Sequence, residues 1–238
     1  MSDDTAPLAS LSLTHVYYDA NDPVSLFCAY LALLPQALCV VYATLILATR
    51  EFEIISMFLG QAGCEVINFA LKRLIKEERP RKIHGKGYGM PSSHAQFVAF
   101  WSVSLALFLL VRHKPTSQGR TSKIQKQHQG NYRAWSFLER LAVSICACVV
   151  AAAVAWSRIY LNYHTPKQVA VGSLTGVAVA MAWFEVVSWM RRTGWLAWGL
   201  GLPIVTAFRV RDLIVSEDMC QAGWEKWQLH NASKAKTG

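Results

Sequence analysis

Long apolar stretches alternate with short polar ones along this chain, and the apolar stretches have the length of membrane-spanning helices. A span needs about twenty mostly apolar residues. Five stretches fit, namely 24–49, 52–74, 95–111, 141–156 and 169–190. A sixth stretch, 195–208, is shorter and is compatible with a crossing, a re-entrant or an interfacial segment. The pattern predicts an all-α, polytopic membrane helical bundle with five transmembrane helices and one possible further helix.

Composition supports a membrane protein. Hydrophobic residues make up 53% of the chain and charged residues 16%, whereas soluble domains carry about 25% charged residues. In the second stretch, Gln61, Glu65 and Asn68 recur at helical spacing, so we expect them to share a face that contacts protein or a polar cavity. The six cysteines show neither CxxC pairs nor His neighbours at ligand spacing, so neither a disulfide framework nor a zinc site is expected.

The net charge of +9 comes without a nucleic-acid-binding motif, because the basic residues lie between apolar stretches. Basic residues in short loops favour the cytosolic side. The loop 112–140 is rich in them, with Arg112, Lys114, Arg120, Lys123, Lys126 and Arg133. We therefore expect that loop in the cytosol, no nucleic-acid partner, and a lumenal position for the acidic tail 1–23 and the segments 75–90 and 157–167.

The two tails frame a membrane domain predicted to span 24–208. The N-terminal tail lacks the basic start of a cleavable signal peptide, so we expect the first span to be retained. In the C-terminal tail 209–238, Lys234 and Lys236 resemble a K-x-K-x-x retrieval signal, which acts in the cytosol. Asn231 begins a glycosylation sequon, which acts in the lumen. Five spans favour the first and six the second, and we prefer five.

Three polar motifs abut span ends on the predicted lumenal face. They are Lys72-Arg-Leu-Ile-Lys-Glu-Glu-Arg79-Pro80, Pro91-Ser92-Ser93-His94 and Ser157-Arg158-Ile-Tyr-Leu-Asn-Tyr-His164-Thr-Pro-Lys-Gln168. Phosphoryl transfer requires cations for the equatorial oxygens, an in-line nucleophile and an acid for the leaving group. The three motifs supply all of these on one face, which predicts a phosphoryl-transfer site.

Each motif alone also has an ordinary structural interpretation. On a helix, Lys72 and Arg79 lie two turns apart on nearly the same face, where they would bind phosphate or cap a span end. Pro91 is favoured at the first helical position, so the amides that follow would bind an anion or simply begin a helix. His164, between two spans, would be a nucleophile or a satisfied polar side chain. The motifs taken together favour the chemical interpretation.

In this order, the three motifs resemble the type 2 phosphatidic acid phosphatase superfamily, whose pattern is KxxxxxxRP, PSGH and SRxxxxxHxxxD. The first motif is complete, the second has Ser93 in place of Gly, and the third has Gln168 in place of Asp. The resemblance covers most of 52–190. It implies a membrane-embedded phosphatase that requires no metal or other cofactor.

The resemblance also implies a role for each motif residue. His164 attacks phosphorus and becomes a phosphohistidine, while His94 protonates the leaving oxygen and then helps to activate water. The phosphoryl oxygens are bound by Lys72, Arg79, Ser92, Ser93 and Arg158. Gln168 has two interpretations: it orients His164 in place of the Asp, or it caps the next helix in a capping box with Thr165.

The Ser and Gln variants, the compact length and the basic middle loop resemble the dolichyl-diphosphatase branch of this superfamily. That branch implies hydrolysis of dolichyl diphosphate, a polyisoprenoid pyrophosphate lipid, to dolichyl monophosphate and phosphate. The reaction would occur at the lumenal face of the endoplasmic reticulum membrane and recycle the lipid carrier for protein N-glycosylation.

Two alternatives stay open at the level of sequence. One is a broad-specificity lipid phosphate phosphatase that acts on phosphatidate. The other is a non-catalytic lipid-phosphate binder in which Gln168 marks a decayed site. The presence of both His94 and His164 favours an enzyme, because binding alone does not require them.

Overall fold

The computed structural model describes residues 8–11, 16–80, 87–114 and 135–234. The helices in these ranges are α1 (Pro23–Leu31), α2 (Leu34–Thr49), α3 (Phe52–Ile75), α4 (Ser93–Leu107), α5 (Phe137–Tyr160), α6 (Pro166–Arg192), α7 (Trp195–Leu200), α8 (Pro203–Ala207) and α9 (Met219–Lys234). A π-helical turn, Phe108–Arg112, continues α4. One antiparallel hairpin joins β1 (Leu8–Leu11) to β2 (Val16–Asp19), an element that the apolar pattern did not predict. The rest of the described chain is the helical bundle expected.

Five helical segments are long and apolar enough to cross a membrane. They are Pro23–Thr49, Phe52–Ile75, Ser93–Arg112, Phe137–Tyr160 and Pro166–Arg192. They coincide with the five predicted spans and confirm a multi-pass membrane protein. The first of them combines α1 and α2, with a break at 32–33 that immediately precedes the helix carrying Pro35 near its start. Because proline has no amide hydrogen, it suits the first turn of a new helix.

The doubtful sixth segment is not a continuous helix. It forms α7, of six residues, and α8, of five residues, separated by Gly201 and Leu202. At 1.5 Å per residue, neither helix can cross a hydrocarbon core about 30 Å thick. Much of the basic loop used to predict orientation (Arg120, Lys123, Lys126 and Arg133) and Lys236 of the terminal signal lie outside the described residues.

Helix α4 lies at the centre of the bundle. Of its span 56% is buried, against at most 33% for the other four, and it packs against α3, α5 and α6. Two glycines of α6 make the closest approach: a Cβ at Gly172 would lie 2.6 Å from the Ser92 carbonyl, and one at Gly176 would lie 2.3 Å from the Gln96 carbonyl. Small residues four apart allow two helices to pack tightly in a membrane. This packing brings the start of α4 against the start of α6.

A buried ionic cluster closes the opposite end of the bundle. The Glu53 carboxylate, 4% exposed, contacts both the Arg112 and the Arg191 guanidinium groups. Arg191 also lies 2.5 Å from Asp212, which belongs to the segment that follows α8. A buried carboxylate needs several partners to offset its desolvation. Here two cations supply them and fasten α3, α4 and α6 together.

The C-terminal segment is held at this same end. Glu51 is fully buried and accepts hydrogen bonds from the amides of Leu213 (2.8 Å) and Ile214 (3.1 Å). The Lys114 amide donates to the Val215 carbonyl at 2.9 Å. The segment therefore returns to the start of α3 and the end of α4 instead of forming a sixth span.

At the motif-bearing end, the residues before α1 pack onto the bundle. Val16 of β2 belongs to an apolar cluster with Cys28, Ala29, Leu161 and Tyr163. The backbone amide of Tyr17 donates to the Tyr163 hydroxyl at 2.8 Å. Part of the segment that the sequence analysis assigns to a tail thus contacts the loop between α5 and α6.

Candidate active site

The first motif begins on α3 and continues beyond it. Lys72 lies in the last turn of the helix, which ends at Ile75. Lys76 then adopts a left-handed backbone with φ of 54°, so Arg79 follows in a non-helical segment. The expectation that Lys72 and Arg79 project from one helix face was wrong, because the left-handed cap turns the chain out of the helix. Arg79 reaches the site from the connecting segment.

A buried polar network holds Lys72 against the second motif. The Lys72 ammonium donates to the Ser93 hydroxyl at 2.5 Å, and that hydroxyl donates to Asn68 Oδ1 at 2.9 Å. Asn68 Nδ2 in turn donates to Gln96 Oε1 at 2.7 Å. Asn68 therefore lies on the interior face of α3, as its spacing predicted, and it couples the ends of α3 and α4.

The second motif forms the start of α4. The helix begins at Ser93 with Ser92 as its N-cap, so Pro91 lies before the cap and the prediction that it occupies the first helical position was wrong. The Ser92 amide donates to the Gln168 carbonyl at 3.2 Å. The Ser92 hydroxyl is fully buried and has no hydrogen-bond partner among the described residues. With the first-turn amides of α4, that hydroxyl makes a site suited to an anion.

His94 points its ring to the break between α1 and α2. Its Nε2 lies 3.1 Å from the Ala32 carbonyl. A carbonyl oxygen only accepts, so Nε2 is the protonated nitrogen of this contact. This contact leaves the ring's Nδ1 available for proton exchange with a ligand.

The third motif brings Arg158 and His164 together through a tight turn. Arg158 lies in the last turn of α5, and its carbonyl accepts from the amides of Tyr163 (3.0 Å) and His164 (3.2 Å). Asn162 adopts a left-handed backbone with φ of 56°, which asparagine tolerates better than most residues. The turn folds His164 back onto the end of α5.

Arg158 is buried and directed at the site. Its side chain is stacked on the Tyr163 ring at 4.1 Å. Its Nε and Nη1 atoms are buried and have no hydrogen-bond partner among the described residues. A guanidinium with two unsatisfied donors suits bidentate contact with phosphate oxygens.

Gln168 makes the contacts that both of its interpretations require. Its Oε1 lies 3.2 Å from Nδ1 of His164 and 3.3 Å from the Thr165 amide. The backbone amide of Gln168 donates to the Thr165 hydroxyl at 3.2 Å, which completes a capping box at the start of α6. The same side-chain oxygen contacts both the histidine ring and the N-cap residue of the helix.

Glu77, between Lys72 and Arg79, was not singled out in the sequence. Gln168 Nε2 donates to Glu77 Oε1 at 3.0 Å and to the Glu78 carbonyl at 2.8 Å. These two acceptors require the amide nitrogen to face them, which leaves the amide oxygen facing His164. An acidic pair inside an otherwise basic motif was the sequence signal that could have revealed it.

The electrostatics of the site favour a neutral His164 and an anionic ligand. Burial, followed by the charges of Arg158 and Arg79, lowers the pKa of His164 to about 3. Burial also lowers the pKa of Arg79 from its ordinary value. The cations thus face a buried region in which a phosphoryl group would replace lost hydration. No cluster of three His, Cys, Asp or Glu side chains suited to a metal occurs within the described residues.

Residues 53–192, which contain all three motifs, match the PAP2 superfamily. The chain belongs to this superfamily. A relative from Neurospora crassa is 54% identical over 272 aligned residues, which cover 98% of this chain and 96% of the relative. The human protein named Dolichyldiphosphatase 1 is 39% identical over 212 residues, covering 85% of this chain and 81% of that protein. The resemblance read from the three motifs is confirmed.

The PAP2 fold is also found in a solved structure. The transmembrane PAP2-type phosphatidylglycerolphosphate phosphatase from Bacillus subtilis has a TM-score of 0.52 with this chain at 20% identity, over 70% of this chain and 78% of that one. Identity at this level concerns the fold alone. It confirms the all-α PAP2-like bundle expected from the sequence.

Proposed function

We propose that this PAP2 protein is a lipid phosphatase that hydrolyses dolichyl diphosphate to dolichyl monophosphate and phosphate. One observation carries the proposal. His164 is hydrogen-bonded through Nδ1 to Gln168 and lies close enough to Arg158 and Arg79 to experience their positive charges. Its Nε2 is then an unprotonated nitrogen, oriented and surrounded by the cations that a phosphoryl group requires.

In the first step, Nε2 of His164 attacks the terminal phosphorus of the diphosphate. The bond from that phosphorus to the bridging oxygen breaks, and the departing oxygen of dolichyl monophosphate takes a proton from Nδ1 of His94, which enters this step as an imidazolium with its Nε2–H on the Ala32 carbonyl. The terminal phosphoryl group is now attached to His164. The imidazole carries a positive charge, which its Nδ1–H shares with the Gln168 oxygen.

In the second step, water attacks the phosphohistidine. His94, which lost its proton in the first step, accepts one from the water, and the P–N bond breaks to release phosphate and neutral His164. Both histidines return to their starting protonation states. The cycle consumes one water per phosphate released.

The remaining motif residues bind the phosphoryl oxygens. Arg158 and Arg79 supply guanidinium donors, and Lys72 supplies a charge held by Ser93. The buried Ser92 hydroxyl and the first amides of α4 complete the set. Such fixed donors stabilise the charge of a phosphoryl transition state, which is the largest contribution in this kind of reaction.

The choice of substrate and location rests on two further points. The name of the human relative favours a dolichyl diphosphate over a phosphatidate. The basic residues at the opposite end, including Arg112 and Lys114, favour the cytosol for that end and a lumen for the motifs. We therefore place the enzyme in the endoplasmic reticulum membrane, with its site on the lumenal face, where it would recycle the carrier for protein N-glycosylation.

Phosphate release by the purified protein in detergent with EDTA tests this function. The substrates are dolichyl diphosphate and phosphatidate, and the variant is His164→Ala. We expect release from dolichyl diphosphate by the wild type and none by the variant. Faster release from phosphatidate would replace the substrate with a broader class of lipid phosphates. Failure on both lipids would support a non-catalytic binder.

A further inference from the structure

The side chain of Gln168 links a carboxylate to the histidine. On one side its nitrogen donates to Glu77 Oε1 at 3.0 Å, and on the other its oxygen lies 3.2 Å from His164 Nδ1. Gln168 itself is fully buried. The result is a continuous chain of carboxylate, amide and imidazole that joins two motifs through residues 91 positions apart.

The surrounding backbone holds this chain in place. The Gly89 amide donates to the Glu77 carbonyl at 2.7 Å. A Cβ at Gly89 would lie 2.8 Å from Gln168 Oε1 and 2.9 Å from Gln168 Nε2. Glycine at position 89 therefore allows the backbone to pack directly against the side-chain amide of Gln168, and a larger residue would displace that amide.

The arrangement answers a difficulty raised by the sequence. The PAP2 pattern has Asp where this chain has Gln168, and a neutral amide has no charge to stabilise the imidazolium formed when Nε2 bonds to phosphorus. The Glu77 carboxylate has such a charge. Hydrogen bonds in series polarise one another, so a carboxylate on the amide nitrogen makes the amide oxygen a better acceptor for Nδ1–H.

Glu77 is suited to remain ionised. Its hydrogen bond from Gln168, together with the nearby Lys167 ammonium, lowers the pKa of Glu77 from its ordinary value. Lys167 binds the other oxygen of the carboxylate at 3.1 Å and is itself well exposed to solvent. The carboxylate is partly exposed, and its side-chain hydrogen bonds among the described residues go to Lys167 and Gln168. Of these two residues, only Gln168 contacts His164.

We propose that Glu77 is a positioning residue for the reaction: it fixes the Gln168 amide with its oxygen toward His164 and supplies, through that amide, the negative charge that an Asp would supply directly. This inference rests on the proposed function, because it assumes that His164 is the nucleophile. It assigns a role to a residue in the variable part of the first motif.

Kinetics of Glu77→Gln in the full-length protein test the proposal. Glutamine is nearly isosteric and keeps an oxygen that can accept from Gln168, so the change removes mainly the charge. We expect kcat on dolichyl diphosphate to fall about 10-fold or more, the size of effect found when a residue that orients a metal-ligating histidine is removed. KM should stay nearly constant, because Glu77 does not contact substrate. The matched control is Glu185→Gln, which removes an exposed carboxylate at the opposite end and should leave kcat unchanged.

A second variant separates charge supply from mere folding support. In Glu77→Gln, the added change Gln168→Asp places a carboxylate directly on His164, and we expect it to restore much of the lost kcat. Gln168→Asp with Glu77 present sets two carboxylates close together and should be less active than the double variant. An active wild type with a fully active Glu77→Gln would overturn the inference and leave the proposed function standing. So would a failure of Gln168→Asp to restore kcat in a stably folded double variant. An inactive wild type would instead overturn the proposed function.

Discussion

Nδ1 of His164 lies 3.2 Å from Oε1 of Gln168, and that same oxygen lies 3.3 Å from the backbone nitrogen of Thr165. One acceptor therefore orients the proposed nucleophile and caps the first turn of a helix. The helix in question, α6, starts at Pro166, two residues after His164. Because the cap fixes the path of the chain at this point, the stability of the start of α6 and the tautomer of His164 are set by the same side chain.

Substitution at Thr165 and at Gln168 should separate these two effects. Thr165→Ala removes only the hydroxyl that accepts from the backbone amide of Gln168, so we expect a loss of about 1 kcal/mol in stability. Its kcat should fall less than that of Gln168→Ala. Gln168→Ala removes the bond to His164 as well and should lower kcat about 10- to 100-fold. Thermal unfolding in detergent and initial rates on dolichyl diphosphate measure the two effects. Equal kcat values for both variants would mean that Gln168 acts only as a cap.

Replacement of His94 and replacement of His164 should block different steps of the reaction. His94→Ala removes the proton donor, so we expect turnover of dolichyl diphosphate to fall about 10²- to 10⁴-fold. An aryl phosphate has a leaving group that needs little protonation, so this variant should still phosphorylate His164 from it. Because water activation is also impaired, an acid-labile, alkali-stable phosphoenzyme should accumulate. Its absence in His94→Ala, or its presence in His164→Ala, would contradict the assigned roles.

The membrane architecture and the gathering of the motifs were predictable from sequence, because both depend on local patterns. Span length follows directly from apolar runs, and alternate crossings bring every second loop to the same face. The failures are backbone details. Arg79 leaves the helix of Lys72 because Lys76 takes a left-handed conformation, and α4 starts two residues after Pro91. Neither event has a strong signal in residue type.

Contacts between distant segments were the other part that sequence did not predict. The hydrogen bond between Glu77 and Gln168 joins the segment after α3 to the first turn of α6, and its partners are ordinary polar residues in isolation. The docking of the C-terminal segment on Glu51 likewise depends on where the start of α3 lies in the folded bundle. Such pairs become visible only when the packing of α3, α4 and α6 has fixed the distance between their ends.

The acid side of the pH profile reports on the environment of His164. Burial, and next the charge of Arg158, lower the pKa of His164 to about 3, and the neutral imidazole is the nucleophilic form. His164 in the free enzyme should therefore impose no acid limb on kcat/KM above about pH 5. Removal of a neighbouring cation favours protonation, so Arg158→Gln should raise the pKa of His164 and move any acid limb to higher pH. Profiles on two substrates with different phosphate pKa values separate enzyme from substrate ionisation, and a shared limb above about pH 5 in the wild type would contradict this assignment.

The close approach of α6 to α4 should make Gly176 intolerant of a side chain. A Cβ at this position would lie 2.3 Å from the Gln96 carbonyl and 3.0 Å from the Phe100 amide nitrogen, so backbone must shift. We expect Gly176→Ala to lower stability by about 1–3 kcal/mol, as overpacking does in other cores. The matched control is Gly63→Ala, where a Cβ would meet nothing within 4 Å. Thermal unfolding of both variants in detergent measures the difference, and equal unfolding temperatures would show that the two helices are not in close contact there.

The break between α7 and α8 determines on which side of the membrane the chain ends. Five spans put residues 209–234 on the side of Arg112, and the bond from the Lys114 amide to the Val215 carbonyl, 2.9 Å, holds the two segments together. In sealed microsomes, a tag after residue 238 and a tag inserted in the loop 115–134 should both be digested by added protease, whereas an N-terminal tag should be protected until detergent is added. Asn231 should remain unglycosylated, because its sequon then faces the cytosol. Glycosylation at Asn231, or protection of the C-terminal tag, would require 195–208 to cross the membrane, which helices of six and five residues cannot do.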